Sequence, residues 1–345
     1  MIEPNFLVEV RCLTFNHSKY ITDAMNGFCM QQTNFPFVCC IIDDASTDGE
    51  QEIINNYLQE NFELSEKSGA IRKETEDAFI TFACHKKNNN CYFAVYYLKE
   101  NHYSKKKSKN PYWDEYGKDC SYIAYCEGDD NWIAPLKLQK QVDCLEKDKT
   151  FSCCFSSVRW VDKSGIKLAG TFPPKQTSFC LGTITLEVFL KEDFAKGKWS
   201  IQLSGFMVRA EVDKTFRRML RGPLKKYPFG DYPLFITAFL LGNCYFIGEE
   251  MSCYRVMSGG YNSQMQANIS KAVENQNKIK AAMVDIDNYT KGKYHSCFQK
   301  NMLWCDLNIF YMKNKKVSKL RNLLELLKPH YWSLLPYSIL SKLRK

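Results

Sequence analysis

The chain has no C-x-x-C pair, no glycine-rich phosphate loop and no long apolar run, and each absence narrows what it can be. Its longest apolar candidate, 235–247, is interrupted by Thr237, Gly242 and Asn243. A membrane-spanning helix needs about 20 apolar residues, so none is expected. The start lacks a basic segment leading into an apolar core, which argues against a secretory signal. Without C-x-x-C, the 16 cysteines do not read as a zinc or disulfide framework. The adjacent pairs Cys39-Cys40 and Cys153-Cys154 lie in apolar runs, where a free thiol serves as a small hydrophobe in a reducing compartment. Three N-x-[ST] triplets, at Asn16, Asn268 and Asn288, are then chance matches. The expected location is cytoplasmic, at most peripheral on the inner face of a membrane.

Whole classes of chemistry fall away in the same manner. With neither G-x-G-x-x-G nor G-x-x-x-x-G-K-[ST], a dinucleotide oxidoreductase and a P-loop NTPase lose their main support. There is no G-x-S-x-G and only 5 histidines, which disfavours a Ser/His/Asp hydrolase.

What is present is a folded composition, 45% hydrophobic and 25% charged over 345 residues, with a net charge of +9. The charge is concentrated: residues 313–345 hold nine Lys/Arg against one acid, so +8 of the +9 lies there. The remainder is near neutral. Nucleic-acid binding through the run Lys105–Lys109, the tyrosines Tyr96, Tyr97 and Tyr103 and the basic tail therefore has little support. That run reads as a solvated loop or, lying past a strand end, as a phosphate contact.

The first 150 residues alternate strand and helix signals. Residues 7–13 read as a strand ending at Thr14-Phe15-Asn16. A helical face follows at Ile21, Ala24, Met25 and Phe28. The continuous apolar run 37–42 suits a strand buried on both faces of a parallel sheet, and it stops at Asp43-Asp44. Thr47 and Glu50 have capping-box spacing ahead of a helix carrying Ile53, Ile54, Tyr57 and Leu58. Further strands are expected at 92–98 and 122–126, the latter ending in Glu127-Gly128-Asp129-Asp130. The pattern weakens between 58 and 92. Beyond 150, strands are expected at 151–161 and 206–208, a helix from 230 to 241, an extended segment at 245–257 and a long amphipathic helix over 265–286.

Such alternation predicts an open α/β sheet, with ligands bound outside the carboxyl ends of the strands. Two acidic runs would then share one rim. Like charges in one site destabilise each other, so a divalent cation with oxygen ligands, Mg²⁺ or Mn²⁺, is the expected counter-ion, shared with substrate phosphates. The competing reading of each run is a solvated turn or a helix cap.

At this point the motifs resemble family 2 glycosyltransferases of the GT-A fold, a Rossmann-like open mixed sheet with flanking helices. The matching pieces are 8–21, the segment 41–49, and above all Tyr125-Cys126-Glu127-Gly128-Asp129-Asp130-Asn131-Trp132, which resembles the "EGDDYW" form of the D-x-D motif. The continuations 135–141, 230–234 and 254–260 follow in the family's order, so the resemblance spans about 5–262. It implies a GT-A domain over 1–262, to which the residue pattern itself adds a helical extension over 263–312 and a basic amphipathic tail over 313–345. It also implies inverting transfer of a sugar from a nucleotide-diphosphate donor, with UDP the usual nucleotide, to a glycan or lipid-linked acceptor in surface polysaccharide or glycolipid synthesis. Thr14, Phe15 and Asp43 or Asp44 would border the nucleoside. Glu127, Asp129 and Asp130 would bind the metal. Asp231 would be the general base, and Arg255 would contact the departing diphosphate or else be an ordinary strand arginine.

Three departures from the family pattern stand out. Glu127 replaces the first aspartate of D-x-D, Leu13 replaces a proline, and Met257 stands where many relatives have histidine. A non-catalytic nucleotide-sugar-binding protein and a sugar-phosphate nucleotidyltransferase are the alternatives. The latter normally has a glycine-rich basic loop after its first strand, which this chain lacks.

In the tail, Leu320, Leu323, Leu324 and Leu327, then Pro336, Ile339, Leu340 and Leu343, repeat at helical spacing beside Lys and Arg, with Tyr331 and Trp332 between. Apolar stripes beside basic faces fit an anionic membrane surface. The alternative is a helix pair packed on the globule.

Overall fold

The computed structural model describes residues 4–175, 179, 181–191, 200–228, 230–257 and 268–314. Ser258-Gly259-Gly260, the first turns of the helix expected from 265, and the tail beyond 314 lie outside the described residues.

The first half builds β1 (Val8–Thr14), α1 (Ile21–Cys29), β2 (Phe37–Asp43), α2 (Glu50–Asn61), β3 (Phe62–Glu63), β4 (Ile71–Glu74), β5 (Ala78–His85), β6 (Cys91–Leu98), α3 (His102–Lys105), α4 (Asn110–Gly117) and β7 (Tyr122–Tyr125). The second half adds β8 (Asn131–Trp132), α5 (Lys137–Lys147), β9 (Phe151–Val161), β10 (Lys167–Phe172), β11 (Gly182–Ile184), α6 (Leu186–Phe189), β12 (Phe206–Arg209), α7 (Ala210–Met219), α8 (Asp231–Leu241), β13 (Asn243–Arg255), α9 (Ile269–Tyr289) and α10 (His295–Lys313).

These strands form one large mixed sheet flanked by helices, in the order β11-β13-β9-β12-β7-β1-β2-β6-β5-β3. The four strands β7, β1, β2 and β6 are parallel. Every residue of β2 is buried, as a strand covered on both faces requires. From β1 the chain proceeds outward through β2 to β6, then returns to add β7 on the other side. The strand order thus reverses at β1 and β7, where the loops after the two strands leave a crevice.

Where the sequence signal weakens, at 58–92, the chain forms an antiparallel extension. β5 pairs with β6 and carries β4 and β3. β4 has three exposed residues of four, so it shows no apolar alternation to read.

Two large apolar cores sit on this sheet, beside a smaller one in which Tyr112 and Tyr116 of α4 pack on β2, β5 and β6. One joins α1, α2 and α5 to β1, β2 and β6 through Phe28, Phe37, Phe93 and Leu138. The other joins α7, α8 and α9 to β9 and β12 through Phe155, Phe206, Phe235 and Met283. Each fully buried side chain of this size contributes roughly 1.5–3 kcal/mol. α8 is buried on nearly every side, from Tyr232 to Phe239, which fixes Asp231 at its first turn. All described cysteines are free thiols, most of them buried. Among the described residues, no helix is long and apolar enough to cross a membrane.

Candidate active site

The strand register sets the rim. Thr14 at the end of β1 is paired with Asp43 at the end of β2, and Asp43 with Tyr97 at the end of β6. Two loops leave this edge and are tied together. Asn16 (φ 58°) and Ala45 (φ 63°) both adopt left-handed backbone, which lets each loop turn sharply off its strand. The Asn16 amide donates to Ser46 Oγ (2.8 Å), the Thr47 amide to Asn16 Oδ1 (2.8 Å), and the Ser18 amide to Asp48 Oδ2 (3.0 Å).

Beneath these loops lies Glu50, fully buried, the residue whose role the sequence concealed. Its spacing from Thr47 suggested a capping box, but the α2 N-cap is Gly49 in a left-handed conformation with no side-chain cap bond. The Glu50 carboxylate instead accepts from Thr14 Oγ1, from the His17 amide (2.8 Å) and from Ser46 Oγ (2.8 Å). Burial raises its pKa, and these donors oppose that shift. Phe15, on the same loop, is 42% exposed.

The two adjacent aspartates have different surroundings. Asp43 accepts from the Ser46 amide (3.0 Å) and Gln51 Nε2 (2.5 Å) through Oδ1, while its buried Oδ2 has no partner. Asp44 is engaged within the fold. Its carboxylate accepts from the amides of His102 (2.7 Å) and Tyr103 (3.1 Å) and pairs with Lys109 at 3.1 Å. Of the expected basic loop, Lys109 is thus nearly covered, and Lys107 pairs with Asp77 and Glu100.

On the β7 side, Gly128 brings the acidic turn against β1. A Cβ there would stand 2.1 Å from Thr14 Oγ1 and 2.6 Å from Thr14 Cβ. The Gly128 amide donates to the Leu13 carbonyl (3.1 Å), continuing the sheet into the turn. Trp132 anchors the far end: it is buried, its Nε1 donates to the Ser204 carbonyl (3.0 Å), and it meets Phe28 edge to face at 4.9 Å.

The three expected metal ligands are not equivalent. Asp130 is buried and turned inward. Its Oδ1 accepts the Arg255 amide (3.0 Å) and its Oδ2 accepts from Gln202 (3.4 Å). Desolvation, and then the Asp129 charge, raise its pKa strongly. Asp129 remains partly open, with His17 Nε2 3.8 Å from Oδ2. Glu127 is exposed at the cavity lip. Its pKa is raised by desolvation among the cleft walls and by the charges of Asp231, Asp129 and Asp130.

Among the described residues, the oxygens of Glu127, Asp129 and Asp130 do not converge within the span of one ion. Glu127 and Asp129 nevertheless offer the donor set that Mg²⁺ or Mn²⁺ uses alongside phosphates, one or two carboxylates with the other positions left to substrate and water.

Arg255 is almost fully buried and braces this turn. Its Nε donates to the Asp129 carbonyl (2.9 Å), its Nη2 pairs with Asp23 (2.9 Å), and its Nη1 reaches the carbonyls of Asp162 (3.3 Å) and Lys163 (3.4 Å). The guanidinium lies over the Tyr20 ring at 4.5 Å. Each guanidinium nitrogen of Arg255 thus has a partner within the protein.

Glu127 and Asp231 line one cavity of about 540 Å³, together with Arg11, Trp113, Tyr125 and Arg221. Desolvation pushes the Asp231 carboxyl up to about 6, so at neutral pH it is ionised yet remains a useful proton acceptor.

No family model matches the chain. Two uncharacterized proteins, of Mycobacterium tuberculosis and Mycobacterium bovis, are each 31% identical over 162 residues, 47% of this chain. The chain covers 38% of the length of these relatives. Among solved structures, S. aureus TarS 1–349 in complex with UDP-GlcNAc is 14% identical, with 95% of this chain and 88% of that one covered and a TM-score of 0.47. The mannosyltransferase PcManGT from Pyrobaculum calidifontis, in complex with GDP-Man and Mn²⁺, is 12% identical, with 98% and 87% covered and a TM-score of 0.47. At that level of similarity no residue's role rests on them.

Proposed function

We propose that this chain is an inverting, metal-dependent glycosyltransferase of the GT-A type, using a nucleoside-diphosphate sugar as donor and a glycan or lipid-linked hydroxyl as acceptor. The observation that carries the reading is the pairing of Glu127 and Asp231 in one cavity, beside a rim formed by Thr14, Phe15 and Asp43 at the sheet's reversal point. The donor's nucleoside lies against Phe15, and Asp43, whose second oxygen is buried, positions the bordering loop through the Ser46 amide and Gln51. Asp44 acts through the loop it anchors, and Arg255 acts through the acidic turn it braces. Glu127 and Asp129 hold a Mg²⁺ or Mn²⁺ ion, which when bound neutralises charge on the leaving diphosphate.

In the transfer step the acceptor oxygen attacks the anomeric carbon from the side opposite the diphosphate. The carbon–oxygen bond to the diphosphate breaks with its electron pair, and the acceptor's proton passes to Asp231. Residues 313–345, by their leucine stripes and basic faces, bring the enzyme to an anionic membrane where lipid-linked acceptors reside.

The deciding experiment is calorimetric titration with UDP, with Mn²⁺ and then with EDTA. Binding that requires the ion is expected. A chain that binds neither UDP nor any other nucleoside diphosphate under either condition would not be this enzyme. Ion-dependent binding without sugar transfer or donor hydrolysis would identify a nucleotide-sugar-binding protein instead.

A further inference from the structure

A second cluster of metal-ligating groups lies away from the acidic turn. Asp77 in the β4–β5 turn, Glu100 just after β6 and His102 at the start of α3 bring one ligand atom each to within 4.8 Å of one another. None belongs to the set Glu127, Asp129 and Asp231. The backbone fixes the cluster. The Lys99 amide donates to the Asp77 carbonyl (2.9 Å), setting the turn beside the end of β6. Asn101 caps α3 by accepting from the Ser104 amide (2.7 Å), and the His102 amide is held by Asp44 (2.7 Å). A cavity of about 390 Å³ opens against Asp77 and His102.

Two carboxylates alone would be only an acidic patch. His102 changes that reading, because it is 2% exposed and neither ring nitrogen has a hydrogen-bond partner. A buried imidazole left unbonded carries the desolvation cost of each unsatisfied polar atom with no hydrogen bond to offset it. A ligand for the nitrogen that faces the carboxylates would remove part of that cost. Among the described residues, the cation bridging the acids is Lys107, whose Nζ lies 3.2 Å from Asp77 Oδ1 and 2.5 Å from Glu100 Oε1. Its side chain is 45% exposed and can swing into solvent with little loss of packing. The ammonium is spent on the two carboxylates and reaches neither ring nitrogen of His102, so the imidazole lone pair stays unsatisfied.

We propose that Asp77, Glu100 and His102 form a second divalent-metal site, taking a Zn²⁺-class ion through one imidazole nitrogen and two carboxylates, with Lys107 as the resident counter-ion that the metal displaces. Imidazole with carboxylate is a borderline donor set suited to such ions, and three protein ligands leave a position for water. Because the His102 amide anchors Asp44, occupancy would stiffen the loop beside the Asp43 rim.

The test uses Co²⁺ as a spectroscopic probe, added to the full chain carrying Asp129→Asn so that the acidic turn does not contribute. The expected result is one ion per chain, with visible bands of nitrogen and oxygen coordination and no near-ultraviolet thiolate band. Asp77→Asn and His102→Gln should each weaken binding at least about tenfold, and Lys107→Met should strengthen it by about tenfold or more, since a competing charge within 4 Å is removed. Asp77 is a half-exposed turn residue, so its variant reads the site even if His102→Gln fails to fold. A thiolate band, binding undiminished in Asp77→Asn, or no binding by Lys107→Met would each overturn the proposal. None of these readouts depends on sugar transfer.

Discussion

The backbone amide of Arg255, at the end of β13, donates to Asp130 Oδ1 at 3.0 Å and so ties the last strand of the sheet to the acidic turn after β7. The same arginine holds the Asp129 carbonyl through its Nε. The adjacent aspartates therefore part company: Asp130 is bound into the fold and Asp129 is left for the cleft. Asp129→Asn should lower Mn²⁺-dependent nucleotide affinity by about 100-fold, a figure in the range seen when a metal site loses a supporting group. Asp130→Asn keeps an acceptor for the Arg255 amide and removes a charge whose burial is unfavourable, so affinity should stay within about tenfold. Titration of both variants checks the split; equal losses would make Asp130 a ligand.

Asp231 carries the second prediction. A carboxyl raised to about 6 by desolvation binds its proton more tightly folded than unfolded, where the usual value is 3.8. Folding stability from this group is therefore present at low pH and lost as pH rises from about 4 through about 6. Asp231→Asn removes the penalty and should raise stability at pH 7 by on the order of 1–2 kcal/mol, with no gain below pH 4. The same variant should lose transfer by at least about 100-fold while UDP affinity is kept. In the unmodified chain kcat/KM should rise with pH through about 6, shared with Glu127 because the two acids interact. Thermal melts at two pH values, a pH–rate profile of the unmodified chain, and the variant's transfer rate with its UDP titration test these statements.

Gly128 is required by contact. A methyl group there meets Thr14 at 2.1 and 2.6 Å, and Thr14 cannot retreat because its hydroxyl is held by Glu50. Gly128→Ala should cost about 1–3 kcal/mol and shift the acidic turn off β1. Chemical denaturation gives the first figure. Metal-dependent UDP binding, reduced more than the stability loss explains, gives the second.

The central sheet was legible in the sequence because its signals are local. The run 37–42 is buried on both faces and reads as such, and the observed strand ends one residue later at Asp43. The acidic turn was legible too, since Glu127, Asp129 and Asp130 follow one apolar strand. What was not legible was which oxygens point where. That depends on Arg255, 125 residues further along, and on Gln202, neither of which any local pattern links to Asp130. β4 escaped because an exposed edge strand has no apolar period. Glu50 was seen and misassigned: its spacing fits a cap, whereas its carboxylate turns into the fold toward Thr14.

The basic tail is tested by its removal. A chain ending at residue 312 should keep its melting temperature and its UDP affinity and no longer sediment with vesicles rich in anionic lipid. About 1 kcal/mol of attraction per basic residue near such a surface is the expected driving force, so binding by the whole chain should weaken steeply with salt. Vesicle binding that survives truncation would place the membrane contact in the globular part.

Glu50 offers the sharpest separation between organisation and chemistry. It reaches no cavity described for substrate, yet three donors from two different loops converge on its carboxylate: Thr14 Oγ1, the His17 amide and Ser46 Oγ. Bonds to an ionised acceptor contribute about 1.5–3 kcal/mol each. Glu50→Gln preserves the volume but replaces one accepting oxygen with a donor, leaving at least one of the three unsatisfied in a buried place. Stability should fall by about 2–4 kcal/mol, and UDP affinity by more than the unfolded fraction accounts for, because Phe15 and Asp43 ride on the loops that separate. The rate of the transfer step at saturating donor should change little, since Asp231 and Glu127 stand on other elements. A loss confined to KM supports that division, whereas a loss in kcat with KM unchanged would put Glu50 in the proton path.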